Sequence, residues 1–394
     1  MKARSGHGIL RKVGALVSPA VLLGAALGFV ATQFSQAQTL NVLYNFGGAA
    51  DGGDPYAGVI RDADGNLYGT AGYGGTAYAG GVFKVDASGT ETMMYSFTGG
   101  TDGAYPISTL VRDSAGNLYG TTTQGGSTGA GVVFKVDPSG NETVLHNFTG
   151  GSDGTDPVGG LILDAAGNLY GTTGQGGTSN CGVLFKLSPT GKETILHTFT
   201  GAANDGKYPT YTSVLMDATG NIYGVTQEGG LSDHGVVYRL GKTGKFSLLH
   251  SFAGGTTDGC NVLGIPFRDK YGNIYGTTSS CGAHNFGTVW KLATDGTEKV
   301  LYSFTGGTSA EYPLAGVVAD AHGNLYGTTE TGGSANLGTV YRVTQKGQFT
   351  LLHSFTGPDG EYVDGGLILD NGTLYGAALN GGSIGYGTVW QITP

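Results

Sequence analysis

Two histidines and two carboxylates are the side chains in this sequence best suited to chemistry. Glu228, Asp233 and His234 lie within seven residues of one another, and His284 follows fifty residues after His234. Imidazole and carboxylate groups ligate divalent metal ions and also transfer protons, so this set predicts a metal site or an acid–base site. Glu330 offers a further carboxylate. The spacing matches no known metal motif, so the metal is left unidentified.

A second candidate is a series of side chains that stand just before a Gly-Gly pair or its equivalent, once in each of seven similar segments. The series reads Tyr73, Gln124, Gln175, Glu228, Ser280, Thr331 and Asn380. If the segments form a ring, we expect Gln124, Gln175, Glu228 and Asn380, together with Glu330, to form a polar ligand surface around its centre. The alternative is that these side chains only hydrate a loop face.

The segments that position these residues repeat along most of the chain. The phrase Gly-Asn-Leu-Tyr-Gly-Thr at residues 65–70 returns with small changes at 116–121, 167–172, 220–225, 272–277, 323–328 and 372–377. The tyrosines of the seven copies are 49 to 53 residues apart. A fixed period of this length is typical of propellers, solenoids and arrays.

Each repeat contains four short apolar runs separated by turn residues, as residues 160–199 illustrate. We name these predicted strands A, B, C and D; an Asp-x-x-Gly turn joins A to B. Tandem four-stranded antiparallel units predict an all-β propeller with seven blades over residues 38–394. The last copy lacks strand D, and residues 40–46 supply an unpaired strand of that type. We therefore expect the N-terminal strand to complete the last blade and close the ring, the alternative being an open β-array.

The phrase Gly-Gly-Leu-Ile-Leu-Asp-Ala-Ala-Gly-Asn-Leu-Tyr-Gly-Thr-Thr at residues 159–173 carries a resemblance to a known family. Its opening is similar to the NHL-type propeller repeat, and the whole phrase resembles the secreted Gloeobacter/Verrucomicrobia (GloVer) tandem-repeat proteins. The resemblance covers essentially residues 40–394. It implies a secreted or surface repeat protein without an established activity.

The first 37 residues have the pattern of a secretory signal peptide. A basic start is followed by an apolar stretch and by Ser35-Gln36-Ala37, which suits signal peptidase. An uncleaved anchor is the alternative; otherwise we expect a secreted or periplasmic protein without an integral membrane segment. Removal of four basic residues changes the net charge from −9 to −13, which excludes nucleic acid as a partner.

Three further series recur with the repeats. Strand D carries a histidine in four repeats: His146, His197, His250 and His353. Sevenfold symmetry would spread these side chains around the rim. We therefore expect them to pack or to form hydrogen bonds, and not to converge on one ion. Strand C carries a basic residue in six repeats: Lys84, Lys135, Lys186, Arg239, Lys291 and Arg342. We expect each of these to form an ion pair with an aspartate of an A–B turn. The D–A loops carry aspartates that bend the chain, with calcium binding as the alternative: Asp51, Asp102, Asp153, Asp205, Asp258 and Asp359.

The three cysteines divide into a pair and a single residue. Cys260 lies in the D–A loop and Cys281 in the B–C loop of the same repeat, and both loops leave the blade on one face. An oxidising compartment permits a bond between them, so we predict a Cys260–Cys281 disulfide. Cys181 remains as a thiol.

These features favour a non-enzymatic propeller, which we expect to be a monomer, that presents one face to an extracellular glycan, protein or surface ligand. The alternatives are a hub-site enzyme, such as a metal-assisted hydrolase, lyase or lactonase, and a structural module of a surface assembly. No organic cofactor is expected, since the chain has no phosphate loop and no dinucleotide-binding fingerprint.

Overall fold

The computed structural model describes residues 38–394, so the predicted signal peptide lies outside the described residues. The described strands form seven four-stranded antiparallel sheets, arranged as the blades of a propeller. The predicted fold is therefore confirmed. Over residues 38–394 we find no helix of the length and apolarity needed to cross a membrane.

The strands keep the order A, B, C, D from the axis to the rim in every sheet. In blades 1 to 7, strand A spans Ile60–Arg61, Val111–Arg112, Ile162–Leu163, Leu215–Met216, Gly259–Arg268, Val318–Ala319 and Ile368–Asp370. Strand B spans Leu67–Ala71, Leu118–Thr122, Leu169–Thr173, Ile222–Thr226, Ile274–Cys281, Leu325–Thr329 and Thr373–Ala378. Strand C spans Gly81–Val85, Val132–Val136, Val183–Leu187, Val236–Leu240, Thr288–Leu292, Thr339–Val343 and Thr388–Ile392. Strand D spans Glu91–Ser96, Glu142–Asn147, Glu193–Thr198, Phe246–Ser251, Glu298–Ser303, Phe349–Ser354 and, from the N-terminus, Leu40–Asn45. The short strands Gly206–Lys207 and Glu228–Gly229 pair with each other in the loops of blade 4.

Blade 7 is assembled from both ends of the described chain. Strand Leu40–Asn45 pairs antiparallel with Thr388–Ile392, with Leu40 opposite Ile392 and Asn45 opposite Thr388. This pairing confirms the expected closure. It gives the last blade its fourth strand and leaves no gap in the ring.

The repeated phrase is explained by contacts within each blade. In blade 1, Asp62 accepts hydrogen bonds from the Asn66 side chain and the Tyr68 hydroxyl, both at 2.9 Å, which fixes the A–B turn. The second glycine of the phrase, Gly69 in blade 1, faces the aromatic ring of strand C. A Cβ atom on Gly69 would lie 2.5 Å from the Phe83 ring. Only glycine leaves room for that ring, so the phrase repeats wherever a strand C aromatic must be buried.

Neighbouring blades are joined by one aromatic contact that recurs at all seven junctions. The phenylalanine that follows strand D packs near-perpendicular against the strand C aromatic of the next blade, as in Phe97–Phe134, whose ring centroids are 5.0 Å apart. The closing junction has the same contact, Phe46–Phe83, at 4.9 Å. The other pairs are Phe148–Phe185, Phe199–Tyr238, Phe252–Trp290, Phe304–Tyr341 and Phe355–Trp390.

The expected ion pairs between strand C bases and turn aspartates are wrong: within residues 38–394 none forms. In blades 1 to 6 the tyrosine of the repeat donates its hydroxyl to the turn aspartate instead. In blades 3 and 5 its ring also contacts the strand C lysine; Lys186 lies over Tyr170, 5.6 Å from the ring centroid. The base that does pair with a turn aspartate is Arg61 of strand A, which contacts Asp370 of the adjoining blade.

We predict that Phe46→Ala lowers the free energy of unfolding by about 3–5 kcal/mol, the usual cost of deleting a buried phenylalanine ring. Phe148→Ala is the matched control, because Phe148 occupies the same position at an internal junction and is equally buried. Urea unfolding of both variants compares the two junctions. A large loss for Phe148→Ala with none for Phe46→Ala would show that the ring is open.

Candidate functional site

The D–A and B–C loops are held together on one face of the propeller, here named the loop face. Backbone pairing joins the two loops in every blade, and these pairs are Gly53–Tyr73, Ala104–Gln124, Thr155–Gln175, Lys207–Glu228, Cys260–Ser280, Glu311–Thr331 and Glu361–Asn380. The polar series of the sequence analysis therefore stands on this face, one residue per blade. Gln124 and Gln175 are exposed, whereas Glu330 and Asn380 are half-buried.

The blade 4 carboxylates are brought together with a lysine. The Lys207 ammonium lies 2.6 Å from a Glu228 oxygen and 3.9 Å from an Asp233 oxygen. His234 is half-buried and His284 is exposed on the loop of blade 5. Among the described residues, none of these four acidic and histidine side chains joins a group of three ligand atoms close enough to share one ion.

The centre of the ring contains a cavity of about 440 Å³. Its wall is made by the segment that precedes strand A in six blades and by residues within strand A in blade 5. The first wall residues of blades 1 to 7 are Tyr56, Ile107, Val158, Tyr211, Leu263, Leu314 and Asp364. The inner segments approach one another closely; a Cβ atom on Gly58 would lie 2.1 Å from the Gly366 carbonyl oxygen. Asp364 supplies the one carboxyl of this wall, whose other polar side chains are those of Tyr56, Thr109, Tyr211 and Ser213.

The environment of Asp364 favours its protonated form. Its Oδ1 atom is buried and has no hydrogen-bond partner in the structure. Burial, with a smaller contribution from the negative charge of Glu330, raises the pKa of Asp364 to about 7. Burial also raises the pKa of Tyr56 and of Tyr211, and the charge of Asp364 adds to both shifts. All three groups line the same axial cavity.

Exposed tyrosines concentrate on the loop face. Of the seven exposed tyrosines between residues 38 and 394, six belong to D–A or B–C loops, and we name them the tyrosine surface: Tyr56, Tyr73, Tyr78, Tyr105, Tyr211 and Tyr386. The Tyr73 ring lies parallel to that of Tyr386, with centroids 6.4 Å apart, and 5.6 Å from that of Tyr78. This cluster lies where blades 7 and 1 meet, beside the two blades that supply Asp364 and Tyr56.

The cavity wall is not among the sites predicted from the sequence, which lie in the B–C loops. The available signal was positional: in six blades the wall begins two residues after a residue with left-handed backbone, as in Asp54-Pro55-Tyr56, and in blade 4 it begins three residues after Tyr208. Aligned at that position, the seven repeats show one carboxylate, Asp364. Glu330 was selected from the sequence, and the structure places its charge close enough to act on Asp364.

Blade 5 differs from the others by a covalent link. Cys260 and Cys281 form a disulfide bond, with Cα atoms 5.4 Å apart. The bond ties the D–A loop of this blade to its B–C loop, and strands A and B of the blade are longer than their counterparts. Cys181 is a buried free thiol.

Comparison with known proteins assigns the chain to a family. A model of the Gloeobacter/Verrucomicrobia repeat matches residues 27–215 and 210–394. The chain belongs to this repeat family. No curated protein matches this Gloeobacter/Verrucomicrobia repeat chain.

Solved structures resemble this repeat protein in fold. The extracellular domain of BT3049 from B. thetaiotaomicron, described as a hybrid two-component system, has 14% identity and a TM-score of 0.58 over 90% of this chain and 41% of its own. The corresponding domain of BT4673 from the same organism has 13% identity and a TM-score of 0.59 over 90% and 39%. The chain spans about two fifths of these structures, and at such identities the likeness shows the fold alone.

We predict that Asp364 makes the protein less stable as the pH rises. A carboxyl with a raised pKa binds its proton more tightly in the folded state, so its stabilisation is complete below about pH 3.8 and is lost as the pH rises through about 7. The free energy of unfolding of the parent and of Asp364→Asn is measured with denaturant between pH 5 and 8. The difference between the two values should change by roughly 1–3 kcal/mol over this pH range. Asp64→Asn, an exposed turn residue, is the control. A constant difference between parent and Asp364→Asn would contradict the prediction.

We predict that the protein isolated without reductant has one titratable thiol. Alkylation in denaturant followed by mass measurement should label one cysteine, and labelling after reduction should reach all three. Reduction should lower the free energy of unfolding by about 3 kcal/mol, since the bond closes a loop across 21 residues. Three labelled cysteines before reduction would show that Cys260 and Cys281 are unpaired.

Proposed function

We propose that this protein is a binding propeller that works outside the cytoplasm and recognises a carbohydrate on its loop face. The observation that carries the proposal is the tyrosine surface beside the axial cavity. Tyrosine rings combine a broad apolar face with a hydrogen-bonding hydroxyl, so they suit ligands that are apolar on one side and polar at the edge. Sugar rings have this character, with C–H groups on their faces and hydroxyls around them.

The positions of the polar groups support a ligand that enters the cavity by one end. Tyr73, Tyr78 and Tyr386 form the exposed cluster, and Tyr56 and Asp364 of the same two blades line the cavity wall. The carboxyl of Asp364, which lines the cavity, accepts or donates a hydrogen bond, depending on its protonation, and both roles suit a sugar hydroxyl. A chain lying across the tyrosines would thus place a terminal sugar against Asp364.

The location outside the cytoplasm is supported by three independent features. The N-terminal segment has the signal-peptide pattern, the cysteines of blade 5 are paired, and the structural relatives named above are extracellular domains. The net negative charge also suits an uncharged ligand better than a polyanion.

We predict that an uncharged oligosaccharide binds and that loss of Tyr73 or Tyr386 weakens the binding. Labelled hexasaccharides of glucose, xylose, mannose and N-acetylglucosamine provide the probes, with fluorescence polarisation as the readout. Tyr73→Ala and Tyr386→Ala should each raise the Kd about 10-fold, since loss of one aromatic contact costs about 1.4 kcal/mol. Asp364→Leu, which restores the residue type found at this position in blades 5 and 6, should also weaken binding.

Tyr271→Ala is the matched control, because Tyr271 is 73% exposed in an A–B turn on the opposite face. It should leave the Kd unchanged. The proposal is wrong if none of the hexasaccharides binds, or if Tyr271→Ala weakens binding as much as the loop-face variants do. Capture of a protein instead of a sugar by the same tyrosines would contradict the assignment of a carbohydrate ligand.

A further inference from the structure

The rim of the propeller contains two identical groups of three potential metal ligands. His146, from strand D of blade 2, faces Asp153 of the following D–A loop and Glu193, the first residue of strand D in blade 3. Two junctions further on, His250, Asp258 and Glu298 occupy the same positions. In each group one imidazole nitrogen and two carboxylate oxygens all lie within 4.8 Å of one another.

The ligand atoms of these groups face one another without bonding directly. His146 Nε2 lies 4.0 Å from Asp153 Oδ2 and 3.8 Å from Glu193 Oε1, which is too far for a hydrogen bond. His146 Nε2 and Glu193 Oε1 are buried and have no hydrogen-bond partner, and the same holds for His250 Nε2 and Glu298 Oε1. The equivalent Oε1 atoms of Glu91 and Glu142 also lack a partner at the junctions that carry tyrosine, so the feature particular to these two groups is the buried imidazole nitrogen left unpartnered beside the carboxylates.

Other junctions of the same ring show that the glutamate is what opens the gap. Where no glutamate is present, the histidine moves onto the aspartate and bonds to it: His197 to Asp205 at 2.9 Å and His353 to Asp359 at 2.7 Å. At the junction of blades 1 and 2 a tyrosine replaces the histidine, and the Tyr95 hydroxyl donates to Asp102 at 2.9 Å. Among the described junctions, a gap between one imidazole nitrogen and two carboxylates therefore occurs only where histidine, aspartate and glutamate are all present.

We propose that each of these two groups, His146/Asp153/Glu193 and His250/Asp258/Glu298, binds one divalent transition-metal ion of the zinc type. Zinc bonds to imidazole nitrogen and carboxylate oxygen at about 2.0–2.2 Å, which puts neighbouring ligand atoms roughly 3.4 Å apart in a tetrahedral site. The two separations from His146 Nε2, 3.8 and 4.0 Å, need a contraction of about 0.5 Å to reach this value. Calcium is a poorer match, since it prefers six to eight oxygen ligands.

The surroundings of the groups suit such an ion. The side chains of the first group keep between 13% and 17% of their surface exposed, and His250 and Asp258 of the second keep 19% and 12%, which leaves a route for the ion. Because each site joins two blades, the bound ion would tie the outer strands of neighbouring blades together.

The test is a zinc titration of the full chain, without a polyhistidine tag and after treatment with EDTA, by isothermal calorimetry. The parent should bind two equivalents. His146→Tyr should bind one, and the double variant His146→Tyr/His250→Tyr none; tyrosine is chosen because the ring itself carries it at this position in blades 1, 5 and 7. Thermal melts without metal check that the variants fold.

Three matched variants separate these groups from other histidines. His197→Tyr and His353→Tyr should keep both equivalents, because their junctions lack the glutamate, and Tyr95→His should gain a third equivalent by completing a group with Asp102 and Glu142. The proposal is overturned if the parent shows no saturable zinc binding, or if the double variant binds as much zinc as the parent. An unchanged stoichiometry in Tyr95→His would contradict the role given to the three-residue combination.

Discussion

The structure depends on the edge-to-face contact between the phenylalanine after strand D and the strand C aromatic of the next blade. A blade alone has two apolar faces, and this contact, repeated at seven junctions, is what buries them. The contact between Phe46 and Phe83 is the one that makes the ring closed, because it joins the N-terminal strand of blade 7 to blade 1. Closure in turn sets the spacing of the inner segments and so defines the axial cavity.

A frame of this kind leaves the loop ends free to differ. The glycine, aspartate and tyrosine of each repeat are fixed by packing and by the A–B turn, so they recur without a functional reason. The residues that break the symmetry lie in the inner segments and loops. Asp364 and Tyr56 in the cavity, with Tyr73 and Tyr386 beside them, form one such group where blades 7 and 1 meet. An asymmetric polar group on a symmetric apolar wall gives a bound molecule a defined orientation.

Much of the fold was predictable because the repeat encodes it directly. The period, the four apolar runs and the displaced strand at the N-terminus were sufficient for the blade count and the closure. The role of the strand C bases was not predictable in the same way. Sequence shows that Lys186 and Asp164 are near in the fold, but not that the Tyr170 hydroxyl takes the carboxylate first and that its ring receives the lysine.

The candidate sites were harder to predict, because each depends on contacts between different blades. Residues of the cavity wall come from seven segments with no strong strand pattern, and they meet only when the ring is closed. The rim groups pair His146 with Glu193, 47 residues later, a relation that appears only when the registers of two neighbouring blades are known. The repeat pattern predicted that the histidines lie apart around the rim, but it did not predict which carboxylates each histidine contacts there.

The most direct test of the account is hydroxyl-radical footprinting of the protein with and without its tightest-binding hexasaccharide, since the method reports the solvent exposure of individual tyrosines. The account predicts that the ligand protects Tyr56, Tyr73 and Tyr386 while Tyr271 keeps its reactivity. Protection of Tyr271 with the loop-face tyrosines unchanged would place the ligand elsewhere and contradict the central claim.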